Sequence, residues 1–186
     1  DETREMLEVF LPDEAAVIAD ILLAHYLSQE RGHMLARLDT AAPASLPHLL
    51  ADAVSKLAAG MPVQYIMGSC YFYGLEVSVG PGCFIPRSDT ELLAKAAIGI
   101  LKGGGTFVEL CAGSGCVSMA ISENVPGVRG AAAELSQKAI AYTEKNLEKY
   151  KNIKVVRMDV LDPNDLNMLA GQWGDGFDLL VCNPPY

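Results

Sequence analysis

The chain has 186 residues, of which 51% are hydrophobic and 20% charged, and its formal net charge is −9. This length suits one large or two small domains, and the apolar content excludes a disordered acidic chain, which needs low hydrophobicity together with high charge. The sequence contains no apolar run of about 18 residues, the length that spans a bilayer, so we expect no membrane association. The acidic balance disfavours a nucleic acid partner, because phosphates would be repelled unless the few cations formed one stripe.

The five cysteines are odd in number, and none of them are spaced as Cys-x-x-Cys. This pattern favours a reducing compartment over a disulfide framework or a zinc site, so we expect no bound metal. The first residues, Asp1-Glu2-Thr3-Arg4-Glu5, contain neither the basic nor the apolar segment of a secretory signal. We therefore expect a cytoplasmic protein, and since no feature requires a dimer we expect a monomer.

The first third of the chain predicts helices. Asp13 is a candidate N-cap for a helix that runs to about Gln29, since apolar residues then recur at helical spacing. Ser45-Leu46-Pro47 predicts the start of another helix, and Gly60 is a candidate C′ residue at its end. We therefore expect a small helical domain over residues 1–62.

Residues 63–85 predict a β-hairpin linker, because a Gly68-Ser69 turn signal is followed by alternating apolar and polar residues. Over residues 86–186, helices alternate with four strands, and repeated units of this kind predict an α/β core with a parallel sheet. The fourth strand, Phe177 to Cys182, is apolar on both faces, which is typical of an interior strand, yet no later segment covers it. We therefore expect the sheet to be truncated after strand four and the core to be incomplete.

A glycine-rich turn, Glu109-Leu110-Cys111-Ala112-Gly113-Ser114-Gly115, joins the first of these strands to the next helix. Gly113 and Gly115 let the backbone approach a ligand, and the helix N-terminus adds N–H donors, although a purely structural turn fits these residues equally well. Glu134 ends the following strand, where an acidic side chain can accept hydrogen bonds from a ribose diol. Nicotinamide cofactors and S-adenosylmethionine both present that diol, and the missing full Gly-x-Gly-x-x-Gly pattern disfavours a dinucleotide.

Polar residues also follow the third and fourth strands. Asp159 could accept a hydrogen bond from an adenine amine, although by itself a turn or cap role is the better interpretation. Asn183-Pro184-Pro185-Tyr186 offers two acceptors for a planar NH₂ group, the Asn183 side-chain oxygen and the Pro184 carbonyl, and Tyr186 adds a ring that can stack on that group. Holding both N–H bonds favours charge on the nitrogen, as a weak amide nucleophile requires. We predict that Asn183, Pro184 and Tyr186 are catalytic.

These motifs resemble those of a known family. Residues 109–115 are similar to the S-adenosylmethionine loop of class I methyltransferases, and Asn183-Pro184-Pro185-Tyr186 is similar to the motif of enzymes that methylate amide or exocyclic nitrogens. Residues 62–68, 72–75 and 85–91 resemble the release-factor glutamine methyltransferases of the HemK/PrmC family. The order of helical domain, hairpin linker and core also matches that family over essentially the whole chain.

The resemblance implies a Rossmann-like class I methyltransferase fold and a substrate-docking role for the helical domain. It further implies methyl transfer from S-adenosyl-L-methionine to the side-chain amide nitrogen of the glutamine in the Gly-Gly-Gln motif of peptide chain release factors. By position, the residues that would bind the cofactor are Glu109, Cys111, Ala112, Gly113, Ser114, Gly115, Glu134, Asp159, Val160 and Asn183. The residues that would bind the glutamine amide are Asn183, Pro184, Pro185 and Tyr186.

Three positions depart from the family pattern, which usually has Asp in place of Glu109, Gly in place of Cys111 and Pro in place of Ser88. Glu109 keeps the negative charge. Cys111 adds a side chain beside the methionine end of the cofactor, which we expect to weaken binding.

Two other functions fit part of the sequence. An adenine-amine methyltransferase acting on DNA or RNA would use the same acceptor pair, but the acidic charge and the absence of a basic, aromatic-rich segment disfavour it. A non-catalytic cofactor-binding protein, whose helical domain docks a partner, is the second alternative. An Asn183→Ala variant that loses methylation and keeps cofactor binding would favour the enzyme.

Overall fold

The computed structural model of this chain describes residues 2–36, 42–174 and 176–185. It divides into two units, Asp1–Met67 and Gly68–Tyr186, and each unit has its own buried apolar cluster. Within the described ranges, none of the helices is both long enough and apolar enough to cross a membrane.

The first unit is helical, as predicted. Apolar residues of its first, second and fourth helices form the core, and Leu7 and Leu22 are completely buried there. The helices of this unit are α1 (Glu2–Glu8), α2 (Ala15–Tyr26), α3 (Arg31–Leu35), α4 (Leu46–Ala58) and α5 (Val63–Met67).

Both ends predicted for α2 are wrong. Glu14, not Asp13, precedes the helix, and no side chain caps it. The helix stops at Tyr26 because Ser28 takes a positive φ of 51° and its N–H binds the carbonyl of His25, while the N–H of Gln29 binds the carbonyl of Ala24. This pattern is a Schellman motif, which satisfies the last carbonyls of a helix without further helical residues.

The second unit begins with a hairpin whose turn differs from the predicted one. β1 (Ser69–Phe72) pairs antiparallel with β2 (Leu75–Ser78), and the turn is Tyr73-Gly74, with φ values of 52° and 75°. Two positive φ values in succession are what a two-residue turn needs to match strand twist. The predicted Gly68-Ser69 turn is wrong because the carbonyl of Pro62 accepts from the N–H groups of Tyr65 and Ile66, which makes this stretch helical.

A parallel four-stranded sheet forms the rest of the second unit, which confirms the predicted α/β fold. Its strand order is β5-β4-β3-β6, so β6 is an edge strand of the described sheet. The elements of this part are α6 (Ser88–Ile100), β3 (Thr106–Leu110), α7 (Cys116–Asn124), β4 (Arg129–Glu134), α8 (Gln137–Leu147), β5 (Ile153–Arg157), α9 (Pro163–Gln172) and β6 (Leu179–Cys182).

The strand order reverses between β3 and β6. From β3 the chain moves outward through β4 to β5, and it then returns to place β6 on the other side of β3. Open parallel sheets bind ligands outside the carboxyl ends of the strands at such a reversal. Leu110 is paired with Cys182 in the register, so Cys111 and Asn183 leave the sheet side by side.

Candidate functional site

A cavity of about 1130 Å³ lies at the carboxyl ends of the four parallel strands. Small-molecule sites usually enclose roughly 300–1,000 Å³, so this space is large enough for a cofactor. The predicted residues that line it are Glu109, Cys111, Ala112, Gly113, Ser114, Glu134, Asp159, Val160, Asn183, Pro184 and Pro185. Of the other predicted residues, Gly115 does not line the cavity, and Tyr186 lies outside the described residues.

Gly115 precedes the first residue of α7 with a φ of 74°. A Cβ at this position would lie 2.9 Å from Cγ2 of Thr143 and 3.2 Å from Cδ1 of Leu147, both on α8. Because Gly115 has no side chain, it can adopt the left-handed conformation and α8 can approach it closely. Gly115 therefore supports the loop where it packs against α8, and not by lining the cavity.

Cys111 also lies in the left-handed region, with a φ of 56°. This conformation favours glycine, the residue that the family resemblance leads us to expect in place of Cys111. Burial and the neighbouring Cys182 raise the pKa of the Cys111 thiol to about 11, so this thiol is protonated at neutral pH.

Two buried polar side chains of α8 hold the glycine-rich loop. Thr143 Oγ1 donates to the carbonyl oxygen of Gly113 at 2.7 Å, and Asn146 Nδ2 donates to that of Ser114 at 2.9 Å. Asn146 also donates to the carbonyl of Ser78 and accepts from its N–H, which ties the loop to the hairpin. Sequence reasoning missed this pair, although two polar residues three positions apart on an apolar helix face were a signal.

The carboxylate of Glu134 collects three backbone N–H groups at the end of β4. Oε2 accepts from Gly113 at 2.7 Å, and Oε1 accepts from Leu135 and Ser136 at 2.9 and 2.8 Å. A carboxylate offers about four acceptor positions, so capacity remains for a ligand hydroxyl. Glu134 thus fixes the glycine-rich loop and presents negative charge to the cavity.

Glu109 supports the start of α7. Its side chain is buried, and its Oε2 accepts from the N–H of Ser118 at 2.8 Å and from the Ser118 hydroxyl. These bonds cap the first turn of α7, where a negative charge is favourable. Burial outweighs them and raises the pKa of the Glu109 carboxyl to about 7.

Asp159 and Val160 follow β5. One Asp159 oxygen accepts from the N–H of Leu161 at 2.9 Å, and its own N–H donates to Asp165, so Asp159 organises the turn. Val160, Leu161 and Leu135 give this part of the cavity an apolar surface, and Leu161 is 86% exposed. Sequence reasoning did not select the two leucines, since isolated apolar residues in turns carry no motif.

Asn183 at the end of β6 is tied to α6. Its Nδ2 donates to Oγ1 of Thr90 at 3.1 Å. Helix α6 begins at Ser88, and no side chain caps its start. The Thr90 hydroxyl binds Asn183 instead of a backbone N–H at the helix start.

Among residues 2–36, 42–174 and 176–185, no group of His, Cys, Asp and Glu side chains is arranged to hold a metal ion. The polar groups around the cavity include backbone atoms, carboxylates, the Asn183 carboxamide, the Arg87 guanidinium and the hydroxyls of Thr90, Ser114 and Ser136. Such a set can bind hydroxyl and amine groups of an organic ligand.

Comparison with known proteins identifies two domain families in this chain and a solved structure with the same fold. Residues 1–68 match the PrmC N-terminal domain, and residues 89–186 match the methyltransferase small domain. A candidate SAM-dependent methyltransferase of known structure from Streptococcus mutans superimposes with a TM-score of 0.50 at 18% identity, over 63% of this chain and 32% of that chain, which shows a shared fold.

Curated relatives carry the name release factor glutamine methyltransferase. The protein from Chlorobaculum tepidum is 33% identical over 186 residues, which is 94% of this chain and 61% of the relative. The protein from Mycolicibacterium smegmatis is 34% identical over 171 residues, 90% of this chain and 58% of the relative. This chain therefore spans about three fifths of the length of these relatives. Because the second family match covers more than half of its residues, the chain belongs to the methyltransferase small domain family.

Proposed function

We propose that this chain carries the cofactor site and the amide-binding site of a protein-glutamine N-methyltransferase. Its methyl donor is S-adenosyl-L-methionine, and its substrate is the glutamine of the Gly-Gly-Gln motif of peptide chain release factors. The observation that carries the proposal is that Asn183 and Pro184 line the same cavity as Gly113 and Glu134. The name shared by the curated relatives supports this choice of substrate.

The cavity lining fits S-adenosylmethionine. Glu134 would accept from the ribose hydroxyls, and the backbone of residues 111–114 would hold the methionine end. Val160 and its apolar neighbours would flank the adenine, and Asp159 would accept from the adenine amine. When bound, the cofactor supplies a methyl group on a sulfonium whose positive charge makes the departing thioether a good leaving group.

The chain's own contribution is to hold the glutamine amide. Asn183 Oδ1 and the Pro184 carbonyl would each accept one of its two N–H bonds, which fixes the direction of the nitrogen. Two acceptors also stabilise the positive charge that develops there as the new N–C bond forms. Prolines suit this place because they have no N–H that would compete for the acceptors. Tyr186 would stack on the amide plane.

Methyl transfer requires the substrate amide nitrogen to lose one proton. The nitrogen gains a methyl group and becomes cationic, so it loses one of its two protons to water and leaves a neutral N-methyl amide. Glu109, the buried acidic group of the site, is bonded to Ser118 and stabilises α7 instead of acting as a base.

We also assign docking of the release factor to the helical domain over residues 1–62, with residues 63–85 as its link to the core. The protein would act as a monomer in the cytoplasm, where its substrate works. Size-exclusion chromatography with light scattering, with and without the release factor, would test the monomer and the complex together.

A substrate panel tests the reaction. The protein expressed from its full reading frame is incubated with tritiated S-adenosylmethionine and one of three acceptors: a release factor, the same factor with the Gly-Gly-Gln glutamine changed to alanine, and adenine-containing DNA or RNA. Label in the first acceptor alone is the expected result. Label in the oligonucleotide would overturn the proposal in favour of an adenine-amine methyltransferase.

A further inference from the structure

Thr90 connects the start of α6 to the end of β6. It is 8% exposed, it lines the same cavity as Asn183, and its Oγ1 accepts from Asn183 Nδ2 at 3.1 Å. The two residues are 93 positions apart in the sequence. We propose that Thr90 is a positioning residue that turns the carboxamide of Asn183 so that its oxygen, and not its nitrogen, faces the substrate amide. This inference rests on the proposed function.

The orientation of Asn183 matters because a carboxamide has an acceptor end and a donor end of nearly equal shape. The substrate NH₂ group has two donors, so it needs an oxygen opposite it. A carboxamide turned by 180° would place its own N–H bonds against those donors. Packing alone cannot select between two ends of the same size. The hydrogen bond from Nδ2 to Thr90 Oγ1 commits the donor end of the carboxamide to α6, which points to the oxygen as the end that meets the substrate.

Thr90 is itself held in place. Its N–H donates to the carbonyl of Arg87 at 3.0 Å, which closes the first turn of α6. The next residue, Glu91, accepts from the N–H of Tyr73 in the hairpin turn at 2.7 Å. Further along the same helix, Ala94 is completely buried. The Thr90 hydroxyl therefore has a fixed position before any substrate binds, which is the condition for a preorganised site.

The experiment compares two variants of the protein expressed from its full reading frame. Thr90→Val keeps the shape and removes the hydroxyl, and Thr90→Ser keeps the hydroxyl. We expect Thr90→Val to lower kcat for release factor methylation about tenfold, as loss of one oriented hydrogen bond would. The Kd for S-adenosylmethionine should change less than about twofold, because Glu134 and the glycine-rich loop are held by contacts that do not involve Thr90. Thr90→Ser should recover most of kcat.

Two results would overturn the proposal: an unchanged kcat in Thr90→Val, or equal losses in Thr90→Val and Thr90→Ser when both are folded. Thr90→Ala removes the hydroxyl with less bulk and replaces Thr90→Val if valine prevents folding. Folding is checked by circular dichroism.

A second readout does not need activity. The side-chain ¹⁵N resonance of Asn183, identified by its loss in Asn183→Asp, should shift in Thr90→Val and return toward its original position in Thr90→Ser. An unmoved resonance would overturn the positioning role. If the unaltered protein leaves release factors unmethylated, the proposed function fails, and this resonance still decides whether Thr90 orients Asn183.

Discussion

Asn146 Nδ2 donates a hydrogen bond to the carbonyl oxygen of Ser114 at 2.9 Å, so a residue of α8 holds the glycine-rich loop in place. The same side chain makes two hydrogen bonds with the backbone of Ser78, in the hairpin. The oxygen and the nitrogen of the Asn146 carboxamide thus bind three backbone groups: the N–H and the carbonyl of Ser78 and the carbonyl of Ser114. Asn146 is buried, so its removal would leave these backbone groups without their partners.

Asn146→Ala should therefore lower the free energy of unfolding by about 2–4 kcal/mol, because three hydrogen bonds in a largely buried region are lost together. It should also weaken binding of S-adenosylmethionine, since the loop loses its support. Asn124→Ala is the matched control, because Asn124 makes a single bond to the carbonyl of Ala120 within its own helix. Urea unfolding measures both, and equal losses in the two variants would contradict this account.

Alanine substitutions at Gly115 and Gly127 distinguish the cost of steric crowding from the cost of the left-handed backbone conformation. Both have positive φ, 74° and 77°, but a Cβ on Gly127 would meet no atom within 4 Å, whereas one on Gly115 would meet Thr143 at 2.9 Å. Gly127→Ala should cost about 1 kcal/mol of unfolding free energy for the left-handed conformation alone. Gly115→Ala should cost about 2–4 kcal/mol, because overpacking adds to that. Thermal or urea unfolding compares them, and a Gly115→Ala variant no less stable than Gly127→Ala would refute the packing role.

Much of this arrangement could be predicted from the sequence because its signals are local. The strands of the parallel sheet are short apolar runs between turn residues, and the cofactor and amide motifs directly follow strand ends. Parallel strands bring their carboxyl ends to one edge, so Gly113, Glu134 and Asn183 had to come together once the topology was known.

The parts that sequence reasoning missed depend on distant contacts. Thr90, Thr143 and Asn146 are ordinary helix residues until the fold places backbone or side-chain partners 30 to 93 positions away next to them. The hairpin turn was missed for another reason, since Pro62 starts a helical turn that a Gly-Ser signal does not reveal. Local propensity does not choose between competing turn signals when tertiary packing decides.

Glu109 should make stability depend on pH. Burial raises the pKa of its carboxyl from 4.5 to about 7, so the folded state holds the proton more tightly than the unfolded state. The stabilisation is complete below pH 4.5 and is lost as the pH rises through 7. Between pH 5 and pH 8, the unfolding free energy should fall by about 2 kcal/mol more in the unaltered protein than in Glu109→Gln, which does not titrate. Urea unfolding at both pH values tests this, and a constant difference between the two proteins would contradict it.

Glu134 should be needed for cofactor binding. Glu134→Ala removes both the acceptor proposed for the ribose and the bond to the N–H of Gly113. We expect the Kd for S-adenosylmethionine, measured by isothermal titration calorimetry, to rise at least tenfold, the equivalent of about 1.4 kcal/mol. Glu144→Ala is the control, because Glu144 is an exposed carboxylate on α8. Similar affinities in the two variants would exclude Glu134 from the cofactor site.

The central claim is that Asn183 and Pro184 present a glutamine amide to the methyl donor. Its most direct test is peptide mass spectrometry of a release factor treated with S-adenosylmethionine and the protein expressed from its full reading frame. The account predicts the mass gain of one methyl group on the glutamine of Gly-Gly-Gln, and its loss in Asn183→Ala while that variant still binds the cofactor. An unmodified glutamine, with cofactor binding demonstrated in the same sample, would contradict it.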